Sequence, residues 1–204
     1  MTAILFNNEH EIPERKLLLK NVQKHVSLTP AECKTVLSFF TERPIKKKEK
    51  VILQGKPCRK FCFVEKGSLR AYHTNPEGKE STIMFAVEDW WITDMGAFLN
   101  QTPANLSLES LEDSLLYELE ELKFKALLNE FPKLERYFRI LFQRAYVREQ
   151  QRVLDAISMS LEDRYLRFLN KYPKIAAKVT QKQIASYLGV TPEFLSMVKN
   201  KNSS

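Results

Sequence analysis

No apolar run in this sequence approaches the roughly 18 residues that a membrane-crossing helix needs, so nothing in it is built to span a bilayer. The first residues, MTAILFNNEHEIPERK, lack a basic start followed by a long apolar core, so they do not form a secretory signal peptide. Both absences point to a cytoplasmic protein. Cysteine is sparse. Cys33, Cys58 and Cys62 are an odd number with no disulfide-like framework, which fits a reducing compartment. Cys58 and Cys62 stand four apart, without the further Cys or His that zinc or an iron–sulfur cluster requires nearby, so buried thiols are expected and no metal. Histidine is equally scarce. His10, His25 and His73 are too scattered for a His-rich metal site, and no Ser/His/Asp or paired-carboxylate set is visible. These gaps argue against an enzyme and against a resident cofactor.

What is present suits a globular chain. Its 204 residues are 44% hydrophobic and 28% charged, enough for one large or two small domains, each with a core. The net charge of +7 is unevenly spread. Residues 1–79 carry 16 Lys and Arg against 8 Asp and Glu, and residues 123–204 carry 16 against 7. Between them, residues 80–122 hold 10 acids and no Lys or Arg. A basic C-terminal third suits a nucleic-acid partner, although a solvated basic face gives the same count.

Along the chain, 17–25 and 30–40 read as short helices, the second capped by Thr29 with Pro30 at its first position. Lys46, Lys47, Lys48 and Lys50 then flank a strand-like Val51-Ile52-Leu53, as lysines protect an edge strand. From Phe61 to Glu121 the period changes to two, with no helix-length periodicity. Asn75-Pro76-Glu77-Gly78 is a type I turn signature joining a hairpin over 68–86. The pattern predicts a compact antiparallel roll of short strands. Leu122 to Asn129 reads as a short helix, and Phe131-Pro132 opens a long one running to about Ser160. Ile140, Val147, Leu154 and Leu161 recur every seven residues along it. Phe138, Phe142, Ala145, Val153 and Ile157 form a second apolar stripe. A helix apolar on two sides is buried on both, one against the roll and the other against a second copy of itself or inside a monomer. Arg144, Arg148 and Arg152 lie on a third side, and Leu161 to Leu169 is a further amphipathic helix closing at Tyr172-Pro173.

The stretch TQKQIASYLGVTPEFLSMVK, residues 180–199, reads as two helices about a turn. Thr180 is an N-cap residue, Ile184, Ala185 and Leu188 share one face, and Gly189 stands where a helix end needs positive φ. Val190 plugs the turn. Thr191 and Pro192 restart a helix whose inner face carries Leu195 and Val198. This is the helix-turn-helix pattern, and its place at the end of a basic chain behind a long helix sets it apart from an ordinary helical hairpin.

The segment VILQGKPCRKFCFVEKGSLRAY with its NPEGKE turn, then ITDMGAF, then TQKQIASYLGVTPEFLS, resembles the Crp/Fnr-type transcription regulators in order and spacing. The resemblance covers roughly residues 20–200. It implies an α+β chain: an antiparallel cyclic-nucleotide-binding-like β-roll of the double-stranded β-helix or jelly-roll type, a long dimerisation helix, and a small helix-turn-helix domain. On it, 1–132 would be the N-terminal helices and roll, 133–160 the dimer helix, and 161–204 the DNA-binding domain, with no evident wing before Ser204. It also implies a homodimer with DNA and RNA polymerase as partners and no membrane.

The departures from that pattern sharpen the expectations. The family's cassette carries a Gly-Glu pair and, about ten residues later, an Arg before a Ser or Thr. Thr93-Asp94 and Pro103-Ala104-Asn105 stand in those places. A buried cyclic phosphate needs a paired cation or converging donors, so cyclic AMP is not the expected effector. Arg70 or Arg148, reaching in from outside, is the remaining route to one. Trp91, Asp94, Met95, Phe98, Ala104 and Asn105, with Trp90, are the effector-pocket candidates, for a neutral, apolar or cationic effector or for none. In the recognition helix, Pro192 and Met197 replace the usual arginines and Glu193 remains. Thr191, Glu193 and Ser196, with Lys182, Lys199 and Lys201 on phosphates, are the DNA-binding candidates. Ile140, Val147 and Leu154 are the dimer candidates. A small-molecule sensor whose helix-turn-helix has lost DNA readout is the alternative.

Overall fold

A computed structural model describes the chain over residues 16–201, with side chains to Val198. His10 and the N-terminal segment lie outside the described residues. Two short helices, α1 (Leu17–Gln23) and α2 (Pro30–Ser38), lead into eight strands. These are β1 (Thr41–Ile45), β2 (Lys50–Ile52), β3 (Lys60–Lys66), β4 (Ser68–Thr74), β5 (Glu80–Val87), β6 (Trp91–Ile92), β7 (Ser107–Ser110) and β8 (Ser114–Glu120). They form two four-stranded sheets in the orders β1-β8-β3-β6 and β2-β7-β4-β5, antiparallel throughout. Phe63, Leu69, Ile92, Leu108, Leu116 and Leu119 of these strands belong to one core, all but sealed from solvent. The expected roll is therefore present.

Local chemistry explains where the elements begin. Thr29 and Glu32 form a reciprocal capping box on α2, with Pro30 at its first position. The Glu65 carboxylate on β3 accepts the Leu17 and Leu18 amides at 2.7 and 3.0 Å, so a strand side chain caps α1 and pins it to the sheet. The hairpin turns where Gly78, at φ 78°, donates to the Asn75 carbonyl, and Asn75 Oδ1 accepts the Lys79 amide.

Two sequence expectations are corrected. The span 61–121 contains a helix, α3 (Met95–Asn100), whose six residues are too few to leave a period in the sequence. Phe61, Cys62, Phe63 and Val64 are all buried, because β3 is covered on one face by the other sheet and on the other by α1, α3 and the long helix. A strand buried on both faces has no reason to alternate.

After α4 (Glu121–Glu130), helix α5 (Lys133–Ser158) runs for 26 residues, about 39 Å at 1.5 Å per residue. Its buried residues, Leu134, Tyr137 and Phe138, all lie near its start, against the roll. It stops before Ser160, whose side chain caps the next helix by accepting the Asp163 amide. Leu161 therefore opens α6 (Leu161–Lys171) and leaves the seven-residue series, which ends at Leu154. A single turn, α7 (Pro173–Ala176), precedes α8 (Gln181–Leu188) and α9 (Pro192–Lys201). Phe168, Ile175, Ile184, Ala185, Leu188 and Leu195 make the core of this helical unit, and Phe85 of β5 is inserted into it.

Candidate functional site

The turn between α8 and α9 is built as its residues require. Thr180 and Gln183 form a capping box at the start of α8, and Gly189 ends it at φ 73°. Arg164 of α6 donates to the Leu188 carbonyl at 2.9 Å, satisfying a helix end that would otherwise lack a partner. Thr191 Oγ1 accepts the Phe194 amide, and Leu195 is sealed in the same core as Ala185. Of the DNA-binding candidates, Thr191, Glu193 and Lys182 are exposed. Ser196 is half-buried and turned inward, its hydroxyl within reach of the Pro192 carbonyl and Gln181 Oε1. The side chains of Lys199 and Lys201 lie outside the described residues. The outer face of α9 also presents Phe194 and Met197, 50% and 60% exposed, which give it an apolar surface.

The second feature is a cavity of about 880 Å³ between the roll, α1 and the first half of α5. Its walls are apolar and aromatic, with Phe61, Met84, Trp90, Trp91, Met95 and Phe142 prominent. The polar groups inside already have partners. Trp91 Nε1 donates to Tyr137 Oη at 2.7 Å, which in turn donates to Asn21 Oδ1 at 2.5 Å. Burial pushes the Tyr137 phenol above its ordinary range, so it stays a donor. Charged side chains line it too: Lys24 pairs with Asp89, and the Arg148 guanidinium lies 4.9 Å from the Trp90 ring centre. Arg144 faces His25 Nε2 at 3.2 Å. Burial, and then the Arg144 charge, hold His25 below the usual imidazole value, which leaves Nε2 free to accept.

The pocket candidates divide among different roles. Trp91 and Met95 line the cavity. Phe98 and Ala104 are packed into the core. Asn105 contributes its backbone, its carbonyl bonding His73 Nδ1 at 2.8 Å. Asp94, 6% exposed, accepts from the amides of Ala97, Asn105 and Leu106 at 3.2, 2.6 and 3.1 Å. Its carboxylate thus fills the backbone donors gathered between the start of α3 and residues 105–106. Arg70 points elsewhere, stacked 4.1 Å from the Tyr72 ring and paired with Glu80 and Glu109. Asn21 of α1, and Lys24 and His25 just after it, also reach the cavity, which no local spacing announced.

The comparisons agree with this architecture. Residues 42–131 match the model of the cyclic nucleotide-binding domain. The catabolite activator protein of Thermus thermophilus is 22% identical over 90% of this chain and 86% of its own, with a TM-score of 0.56. The c-di-GMP-responsive global regulator CLP of Xanthomonas campestris superposes at a TM-score of 0.70, with 15% identity over 83% of this chain and 89% of that one. A protein from Eubacterium rectale assigned to the Crp/Fnr family matches at 0.66, with 19% identity over 84% and 82%. This is the Crp/Fnr fold. Among curated proteins none matches the sequence.

Within that fold, the helical unit is docked on its own roll. Ser186 of α8 accepts the Thr82 amide at 2.8 Å and donates to the Glu80 carbonyl at 2.9 Å, capping the open edge of β5. Phe85 packs between Phe168 and Tyr187, and Lys178 pairs with Glu112. The acid-only stretch also resolves. Nine of its ten acids hold a cation or a backbone amide. Glu118 is the most enclosed, held between Arg43 and Lys60. Among the described residues, no group of three His, Cys, Asp or Glu is placed to hold a metal ion, and no helix is long and apolar enough to cross a membrane.

Proposed function

We propose that the chain is a homodimeric, DNA-binding transcription regulator whose roll does not answer to cyclic AMP. The observation that carries this is the helix-turn-helix, with its cap, its left-handed glycine and an exposed outer face on α9. Helices of this kind enter the major groove with their first residues against base edges. Glu193 is the base reader, accepting from a cytosine amino group. Phe194 and Met197 suit thymine methyls, and Lys182 acts on phosphate.

The dimer reading rests on α5. Val147 and Leu154, seven apart, are 62% and 55% exposed, and Val153 and Ile157 beside them are exposed as well. A helix does not leave such a stripe in water unless a partner covers it. Ile140 is half-buried on the cavity side, so the contact starts beyond it. Independence from cyclic AMP follows from Asp94. A cyclic phosphate would have to displace a carboxylate already bonded to three amides, with no cation from residues 80–122 to help.

Selection of sites from random duplex DNA, followed by retention at graded salt, tests the reading. The affinity should fall linearly on a log–log plot, with a slope of about −0.9 for each phosphate neutralised. Glu193→Ala should change the selected sequence at fixed salt. If no duplex is retained even at low salt, the chain is instead a ligand sensor that has lost DNA readout, a reading the apolar face of α9 favours.

A further inference from the structure

A second cleft, of about 340 Å³, lies between the last turns of α5, α6 and the end of α8. Arg148, Arg152, Arg164, Arg167 and Lys171 line it, against Asp155 as its one lining acid. Asp155 is itself held by Arg167 and Gln151, and Glu149, just outside, pairs with Arg152 at 2.9 Å and approaches Arg148. Five cations thus face two carboxylates. Lys171 makes no ion pair among the described residues. The Arg164 Nε is buried without a hydrogen-bond partner. Burial first, and then the nearby Arg148, hold the Lys171 ammonium below the usual lysine value. An aromatic wall of Phe168, Tyr172 and Tyr187 closes the other side.

Converging guanidinium and ammonium donors, in excess over carboxylates, suit an anion with several oxygens more than a single carboxylate. We propose that this cleft binds a small phosphate-bearing molecule. The site adjoins the apolar cavity, with Arg148 lining both. Its walls come from both α5 and the helix-turn-helix unit, so an occupant ties the orientation of α9 to that of α5. The binding claim stands without the function proposed above.

The test is calorimetric titration of the full-length protein with inorganic pyrophosphate, then with adenosine triphosphate, at about 0.15 M salt. Saturable binding at one site per chain is expected. Lys171→Ala and Arg152→Ala should each weaken it about tenfold or more, while Lys46→Ala, an equal charge change at a distant exposed site, should not. Pyrophosphate should also raise the melting temperature of the unaltered protein beyond what chloride at equal ionic strength does, a readout that needs no variant. Absence of saturable heat at millimolar pyrophosphate would overturn the proposal, as would unchanged binding in correctly folded Lys171→Ala and Arg152→Ala. If those substitutions weaken DNA retention and pyrophosphate never binds, the cations are a DNA surface and the proposal is wrong.

Discussion

Replacing Asp94 by alanine tests both the architecture of the roll and the reason it rejects a cyclic phosphate. The carboxylate is 6% exposed and accepts three backbone amides. Its bond to Ala97 is an N-cap, worth about 1 kcal/mol. Leu106 is half-buried, and losing a charged acceptor there costs about 1.5–3 kcal/mol. Asn105 is exposed, so water replaces part of its bond, and its share is smaller. The sum is about 3–5 kcal/mol. For a chain of this size each kcal/mol moves the midpoint by about 2–4 °C, so thermal unfolding at fixed protein concentration should show a fall of about 6–20 °C. Asp94→Asn should lie between, since it keeps one acceptor but turns donors toward amides. A midpoint within about 2 °C of the unaltered protein would refute the reasoning, because the three amides would then have found partners elsewhere. Calorimetry gives the second arm. Cyclic AMP should give no saturable heat with the unaltered protein, and micromolar binding abolished by Asp94→Ala would show that the carboxylate serves the ligand instead of replacing its phosphate.

Val147→Glu should split the dimer, because it buries like charges across the axis, and light scattering at micromolar concentration reads the mass. A monomer before mutation would sink the dimer reading. Gly189→Ala meets no atom within 4 Å, so its whole cost is backbone strain at φ 73°, about 1–2 kcal/mol by denaturant unfolding. A loss near zero would mean that the turn does not need positive φ. Phe85→Ala should cost about 3–5 kcal/mol and loosen α8 from β5, visible as faster hydrogen exchange at the Thr82 amide. The thiols should resist Ellman's reagent at pH 8 until the protein unfolds. All three are buried, and burial pushes the Cys62 thiol up, so the thiolate it would need forms only at still higher pH.

The sequence by itself determined the features that depend on neighbours along the chain. Thr180, Gly189, Thr191 and Pro192 each act within one turn of themselves, so their order was enough to place the helix-turn-helix. The same holds for Thr29-Pro30 and for the Asn75–Gly78 turn. The roll was legible from its period, except where β3 is buried on both faces and α3 is too short to have one. Tertiary structure alone decided the rest, because those contacts join residues far apart in sequence. Nothing near Asp94 announces that its carboxylate reaches the amides of residues 105 and 106, eleven and twelve positions on. The acid-only stretch looked like a charged wall until the fold brought cations from 24, 43, 46, 60, 70 and 178 onto it. Phe85 read as an ordinary strand residue, yet it belongs to the helical core, because only the packed chain sets the outer face of β5 against α8.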